Sequence, residues 1–534
     1  MMSGKIKSSK TNLLRSLQRA YTLALISKRK NIPPAEFAEE VAEKISRRRF
    51  IQTTGKAALI TTVAGGSFIS SCTSGGNPEI VIVGSGMAGL HAAFTLKKSG
   101  LMPKIYEASS RSGGRMYTAK DLLGEGLTTE LGGEFIDSTH TDMFNLIKEF
   151  NLPLIDTFEE SEMKLNRMCY YFEGRVVTNK EVMELFYPYA EKIQQDVDSL
   201  SDYISYKEHS ESDLRLDNLS IAQYLTGIGI SGLLYNLLDI AYTTEYGLDI
   251  ASQSSINFLY LIDPGMKDEF NYSGYSDERY KIKGGNQSAT DSLTKRLQYQ
   301  LYTDHTLESI SSKEEGKKII LSFIKTGGSV VEVEADYVIL TLPFTVMRDI
   351  KIDYPFSPQK TEAIKNMSYG MNAKLLLGFN KPFWRDAGYS GYAFADNGIQ
   401  TGWDNSQLQG KTAAGYTVYT GGDESNQIGF KTNEELAEIF IPRLGQFFGP
   451  AKENYNTKVS KFHWPTFKYT KASYTCFSPG QFTTIEGAQS EPEGNIFFAG
   501  EHCSFEFQGF MNGAAETGRV AAENILKKLN KKRG

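Results

Sequence analysis

Residues 79–107 read EIVIVGSGMAGLHAAFTLKKSGLMPKIYE, and the fold follows from this stretch. It opens on an unbroken apolar run, Ile80, Val81, Ile82 and Val83, the pattern of a strand buried on both faces. Gly84, Gly86 and Gly89 follow at GxGxxG spacing, with Ser85, Met87 and Ala88 between them, and Leu90 to Lys98 continues as a helix. Each glycine answers a physical need: a tight turn, close approach of backbone to a pyrophosphate, and close packing of helix on strand. The partial positive charge of a helix N-terminus then faces the phosphates. A second short strand, Lys104 to Tyr106, delivers Glu107 about twenty residues on, where an acid can take ribose hydroxyls, with Ala108 beside it. Strand, glycines, helix, strand and acid in this order predict a Rossmann-like dinucleotide site.

At 534 residues the chain is too long for one core, so two or more domains are expected. Hydrophobic content of 40% and aromatic content of 12% suit a globular enzyme with a large interior. The formal net charge is -5 and no basic cluster recurs in the body, which argues against nucleic acid as a partner. Cys72, Cys169, Cys476 and Cys503 show no CxxC pairing, which argues against zinc, iron–sulfur and a disulfide framework. No apolar run reaches the length of an ordinary transmembrane helix.

Residues 1–72 read as a region outside the fold. Ser46-Arg47-Arg48-Arg49-Phe50-Ile51-Gln52 is a twin-arginine export pattern, followed by a mildly apolar stretch from Ala57 to Ser71. A mitochondrial presequence is the rival, because Leu13 to Ile26 is amphipathic and basic; Glu36, Glu39, Glu40 and Glu43 count against it. Export to the periplasm through the twin-arginine machinery is therefore expected. Ile69-Ser70-Ser71-Cys72 resembles a lipobox, which would make Cys72 a lipid anchor; a chance cysteine behind a signal-peptidase site is the alternative.

Arg111-Ser112-Gly113-Gly114-Arg115 and Glu130-Leu131-Gly132-Gly133-Glu134 make the signal specific. With Glu107-Ala108-Ser109 ahead of them, they resemble the flavin amine oxidase family, which includes monoamine, polyamine and L-amino acid oxidases and the histone lysine demethylases. The resemblance implies FAD, with Gly114 and Arg115 along its pyrophosphate and Gly132, Gly133 and Glu134 beside the flavin ring. Residues 369–384, YGMNAKLLLGFNKPFW, match the family's strand whose lysine holds a water at the ring; here it is Lys374. Independently, an ammonium in an otherwise apolar strand is costly unless it is used. Ser473-Tyr474-Thr475 resembles the step that carries a flavin-linked cysteine in monoamine oxidases. The serine here, with Cys476 three residues too late, implies non-covalent FAD.

The same resemblance makes Tyr474 one wall of an aromatic cage and Phe510 the other, with Tyr469 stacked nearby. Gly500 and Glu501 stand at the ribityl chain. Gly509 and Met511 open a last helix whose N-terminus would stabilise negative charge on the reduced ring. His502 reads as structural. The implied architecture is α/β: a Rossmann-like FAD-binding domain (79–153, 276–345, 474–534) with an inserted α+β substrate-binding domain (154–275, 346–473). The implied reaction takes a hydride equivalent from an amine, giving an imine, then aldehyde and ammonia, with oxygen as acceptor and hydrogen peroxide as product.

L-amino acid oxidases place a carboxylate-binding arginine where Phe135 stands, which favours amines over α-amino acids. Glu134 near the ring would suit a second positive charge, as in a polyamine. Two alternatives stay open: an amino acid oxidase, monooxygenase or carotenoid-type desaturase of the same fold, and a non-catalytic FAD-binding protein.

Overall fold

The computed structural model describes residues 12–38, 78–262, 277–313 and 318–533. Its centre is a five-stranded parallel sheet ordered Ile496–Phe498, Tyr337–Leu340, Ile80–Val83, Lys104–Tyr106 and Leu301–Tyr302. Ile80–Val83 is buried along its whole length because it has a parallel neighbour on each edge, with Ile80 and Ile82 among helix side chains such as Leu90 and Ala93 and with Val81 and Val83 in the cluster that holds Leu321 and Phe323 of a second sheet. Helix Met87–Lys98 packs along the last helix, Met511–Arg533, so closely that a Cβ on Gly518 would meet the Ala88 carbonyl oxygen at 2.2 Å. A four-stranded sheet, Val330–Ala335, Lys318–Lys325, His305–Lys313 and Lys351–Asp353, lies beside the parallel sheet in the chain path. Lys351–Asp353 pairs with His305–Lys313, so the return to the substrate part falls after it rather than at 346.

A seven-stranded sheet carries the other half: Tyr455–His463, Ala373–Phe379, Ala414–Thr420, Gln400–Asp404, Ala393–Ala395, Cys169–Phe172 and Arg175–Val177. Chain pieces from either side of residues 276–345 thus share one sheet, joined where Ala393–Ala395 runs parallel to Cys169–Phe172. Helices from Asn179–Phe186 to Ser255–Ile262 form the layer next to it.

The N-terminal region differs from expectation. Asn12–Arg29 is a helix within the fold, packed on Asn179–Phe186, Ala190–Ser199 and Ser255–Ile262. Leu14, Leu17, Tyr21 and Ala24 recur at helical spacing and are at most 1% exposed. Burial of a leucine-sized side chain contributes roughly 1.5–3 kcal/mol, so this stripe anchors the helix to the body. The amphipathicity of residues 13–26 therefore serves a core rather than a presequence. The twin-arginine pattern at 46–52 and Cys72 lie outside the described residues.

Candidate active site

A cavity of about 560 Å³ runs from the glycine turn at Gly84 to an aromatic group in the seven-stranded sheet. At its nucleotide end Gly84 adopts φ +100°, which a side chain strains to reach, and its N–H donates to the Tyr106 carbonyl at 2.8 Å. A Cβ on Gly89 would fall 2.0 Å from the Gly84 carbonyl oxygen, whereas one on Gly86 would find only Gly114 Cα, at 3.8 Å. Gly89 thus serves helix–strand packing, and Gly86 faces the cavity. Ser85 is fully buried behind the wall, where its N–H and hydroxyl donate to Glu107 at 2.8 and 2.9 Å. The N–H and hydroxyl of Ser109 donate to the other Glu107 oxygen at 2.9 and 2.8 Å. A carboxylate has about four acceptor positions, so these bonds fill it. The two serine hydroxyls can turn away, and Ser109 already has the Arg111 carbonyl at 2.7 Å, which leaves one position per oxygen for ribose hydroxyls.

Arg115 lines the cavity and donates to Glu501 at 2.8 Å and to the Ser473 carbonyl at 2.7 Å. Glu501 is 4% exposed and also accepts from the Gly509 N–H at 2.8 Å. This ion pair therefore ties the Gly114–Arg115 turn to the start of the last helix. Gly509, Phe510 and Met511 all line the cavity at that helix N-terminus, beside Gly132 and Gly133. A Cβ on Gly133 would meet Met511 Cγ at 2.8 Å, so the Met511 side chain packs directly on the Gly133 backbone, an approach that only glycine permits.

Lys374 is 3% exposed, and its ammonium donates to the carbonyls of Glu130 (3.0 Å) and Gly132 (2.9 Å) and to Glu134 (2.8 Å). Three donors meet three acceptors, so a water on Lys374 must displace one of them. Glu134 also accepts from Lys281 at 2.7 Å and the Trp403 indole at 2.9 Å. Burial pushes its carboxyl upward, but the two lysines outweigh this and hold it down at about 2. Glu134 is thus a neutralised anion clamped by two cations, which overturns its expected role as a partner for a second substrate charge. Burial raises the neighbouring Glu130 carboxyl to about 7.

One cross-strand row builds the cavity floor. Phe394 pairs with Thr401, Thr401 with Tyr419, and Tyr419 with Lys374, so all four project from one face. All four line the cavity, with Trp403 two residues along from Thr401. Tyr419 and Tyr474 hold their hydroxyls 2.7 Å apart, and the Tyr474 hydroxyl donates to the Thr244 carbonyl at 3.2 Å. Burial raises both phenols well above their ordinary value, so they stay neutral. Sequence reasoning missed Tyr419, because only the strand register places it opposite Lys374.

Phe510 lines the cavity with its ring edge-on to His140 at 5.0 Å, and Tyr469 lines it edge-on to Phe467 at 5.8 Å. Phe135 lies against Trp403 at 5.8 Å. Ala108 and Gly500 also face the cavity. His502 does not; it sits edge-on to Phe344 at 4.9 Å, and burial lowers it to about 4.

The fit of FAD is testable on these features. A glycine cradle at a helix N-terminus and an acid with exchangeable hydroxyl partners suit pyrophosphate and ribose, and the side-chain-free wall at Gly132 and Gly133 suits close approach of a flat ring. The family model described as flavin containing amine oxidoreductase matches residues 87–526. The chain belongs to this family. Among curated relatives, the L-amino-acid oxidase of Demansia vestigiata is 26% identical over 488 residues, covering 86% of this chain and 89% of its own. That of Sistrurus catenatus edwardsii is 25% identical over 476 residues, covering 85% and 88%. Cyclohexylamine oxidase from Brevibacterium oxydans IH-35A superposes with a TM-score of 0.73 at 20% identity, over 85% of this chain and all of that one. A putrescine oxidase bound to putrescine gives 0.71 at 20%, over 84% and 99%. These structures share the fold of a Rossmann-like FAD-binding domain with a substrate domain. The chain is thus a flavin-dependent oxidoreductase acting on CH–NH2 donors.

Proposed function

We propose that this amine oxidoreductase oxidises a primary or secondary amine rather than an α-amino acid, with non-covalently held FAD and oxygen as acceptor. The observation that carries this is Phe135. Its aromatic ring lines the cavity between Trp403 and Tyr392, where a bidentate guanidinium would be needed to hold a substrate carboxylate. The cavity-lining arginines Arg111 and Arg115 are committed to backbone carbonyls and, for Arg115, to Glu501. Non-covalent binding is supported by Ser473, whose hydroxyl is spent on Asn372 at 2.6 Å, and by Cys476, which is buried outside the cavity lining.

When bound, FAD accepts the hydride equivalent from the carbon bearing the nitrogen. The chain's own residues orient and shield. Tyr419 and Tyr474, locked by their shared hydrogen bond, form a neutral wall along which an uncharged amine can lie. Their raised phenols cannot serve as bases near neutrality, and the Glu134 carboxylate is occupied by two lysines. No side-chain base is required of the site. With FAD bound, the N-terminus of Met511–Arg533 would favour negative charge on the ring. Hydrolysis of the released imine would give an aldehyde with ammonia from a primary amine, or with a smaller amine from a secondary one, and oxygen as the acceptor would leave as hydrogen peroxide. We place this enzyme outside the cytoplasm through the twin-arginine pattern at residues 46–52.

Tyr419→Phe deletes one hydrogen bond and keeps the ring, so the rate constant for flavin reduction should fall by about threefold to tenfold. Tyr474→Ala removes the wall and should cost about a hundredfold. Stopped-flow reduction of the two variants measures both. Equal losses in both would assign the effect to the hydroxyl rather than the wall.

The deciding experiment is anaerobic mixing of the holoprotein with panels of amines and of amino acids, following the oxidised-flavin band. Bleaching by amines and not by amino acids, reversed by air with peroxide release, is expected. The amino acid oxidase relatives favour the competing outcome, bleaching by amino acids alone, and that result would overturn the Phe135 argument.

A further inference from the structure

Asn12–Arg29 precedes the twin-arginine pattern in the chain, yet its side chains fill the core of the substrate part. Removal of everything up to Cys72 would strip out this helix. Tyr21 meets Phe186 edge-on at 5.9 Å and donates to Gln194 Oε1 at 3.0 Å. The Gln18 amide donates to the Leu261 carbonyl, and Lys28 donates to the Tyr187 carbonyl at 3.3 Å. These contacts reach from Phe186 to Leu261, across separate helices of the substrate part, and they are the contacts of a structural element rather than of a leader in transit.

The same helix reaches the cavity. Arg15 Nη1 donates to the Asp277 carbonyl at 3.0 Å, and Nη2 lies 3.5 Å from Glu278 Oε2. Both side chains are nearly buried, at 12% and 6% exposed, and Glu278 lines the substrate cavity. Glu278 has φ +44°, a left-handed conformation that a non-glycine residue holds only when its surroundings impose it. Its N–H is fixed on Asp137 Oδ1 at 2.7 Å. Burial, with Asp137 and Glu245 adding to it, pushes its carboxyl well above the ordinary value; Tyr392 and Arg167 lie nearby, and Arg15 opposes the push as the cation in direct contact. Without the helix, the cavity wall would hold a buried acid among acids, with its nearest cation gone.

We propose that Asn12–Arg29 is a permanent part of the working enzyme, retained through any processing behind residue 38, and that Arg15 is a positioning residue of the substrate cavity, acting through Glu278. A maturation cut at Cys72 is compatible with this only if the detached helix stays bound to the body.

The test is intact mass of the full chain expressed with the twin-arginine export machinery and purified as flavin-loaded holoprotein. Expected is a mass that includes residues 12–38, in one chain or as a peptide that travels with the body under native conditions and separates on denaturation. Flavin-loaded protein that contains no residue ahead of 39 would overturn the proposal. This measurement needs no substrate, so it stands if the amine reading fails. The Arg15 part rests on that reading. Arg15→Ala is expected to raise KM for the best amine about tenfold, with kcat and flavin content within about twofold, and Arg15→Lys to recover most of it. An unchanged KM in Arg15→Ala, or a KM rise that Arg15→Lys does not reverse, would remove Arg15 from the positioning role.

Discussion

Replacing Glu134 with alanine is expected to lower the melting temperature by roughly 5–15 °C, because it leaves two ammonium groups facing each other in a dry pocket. Glu134 has a side chain 4% exposed and holds Lys281 at 2.7 Å and Lys374 at 2.8 Å. Loss of one member of such a buried cluster costs about 3–5 kcal/mol, since the remaining charges have neither water nor a counter-ion. Lys374 would keep only the carbonyls of Glu130 and Gly132 as acceptors. Glu134→Gln keeps the shape but presents an amide to one of the lysines, and should cost about half as much.

The pH dependence gives the sign. The Glu134 carboxyl is held at about 2 against an ordinary 4.5, so its stabilisation is complete above 4.5 and is lost as pH falls from there toward 2. Glu130 runs the other way. Its carboxyl stays protonated in the fold up to about 7, so its protonation favours the fold most at low pH, and this contribution fades as pH rises from 4.5 to 7. The gap in melting temperature between wild type and Glu134→Gln should therefore shrink as pH drops from 5 to 3, whereas Glu130→Gln should flatten the loss between 4.5 and 7. Thermal unfolding followed by flavin fluorescence across this range checks both; a Glu134→Gln gap unchanged between pH 3 and 7 would show that the lysines do not govern that carboxyl.

What the sequence made legible is what local spacing encodes. The turn at Gly84, Gly86 and Gly89 needs only neighbouring residues, and so it reads directly. Lys374 betrays itself as the one charge in an apolar strand, but its three acceptors come from residues 130–134, about 240 positions away. No periodicity announces such a partner. The row Phe394, Thr401, Tyr419 and Lys374 is hidden for the same reason: each strand shows its alternation, while the register between strands is set by packing along the whole sheet. The N-terminal helix shows a third limit. Leu14, Leu17, Tyr21 and Ala24 declare a face that must be buried, but an apolar face does not say against what. The basic residues and the export pattern behind it suggested a leader, and the fold supplied Phe186 and Gln194 instead.

Two glycines of the same turn should fail in different ways when each receives a methyl group. A Cβ on Gly89 falls 2.0 Å from the Gly84 carbonyl oxygen and 3.2 Å from Thr341 Oγ1, so helix Met87–Lys98 must shift away from strand Ile80–Val83. Gly89→Ala therefore damages the fold and the phosphate cradle together, with a lower melting temperature of the apoprotein and poor FAD retention. A Cβ on Gly86 has nothing closer than Gly114 Cα at 3.8 Å, an ordinary contact. It projects instead into the cavity, where backbone and pyrophosphate must meet. Gly86→Ala should leave the apoprotein's melting temperature within about 2 °C of wild type, while FAD affinity falls about a hundredfold, or ~2.7 kcal/mol. Flavin titration of the deflavinated proteins, alongside their thermal melts, separates the two effects. A Gly86→Ala protein that binds FAD like wild type would mean that the pyrophosphate does not pass over this turn, and the reading of residues 79–107 would lose its central support.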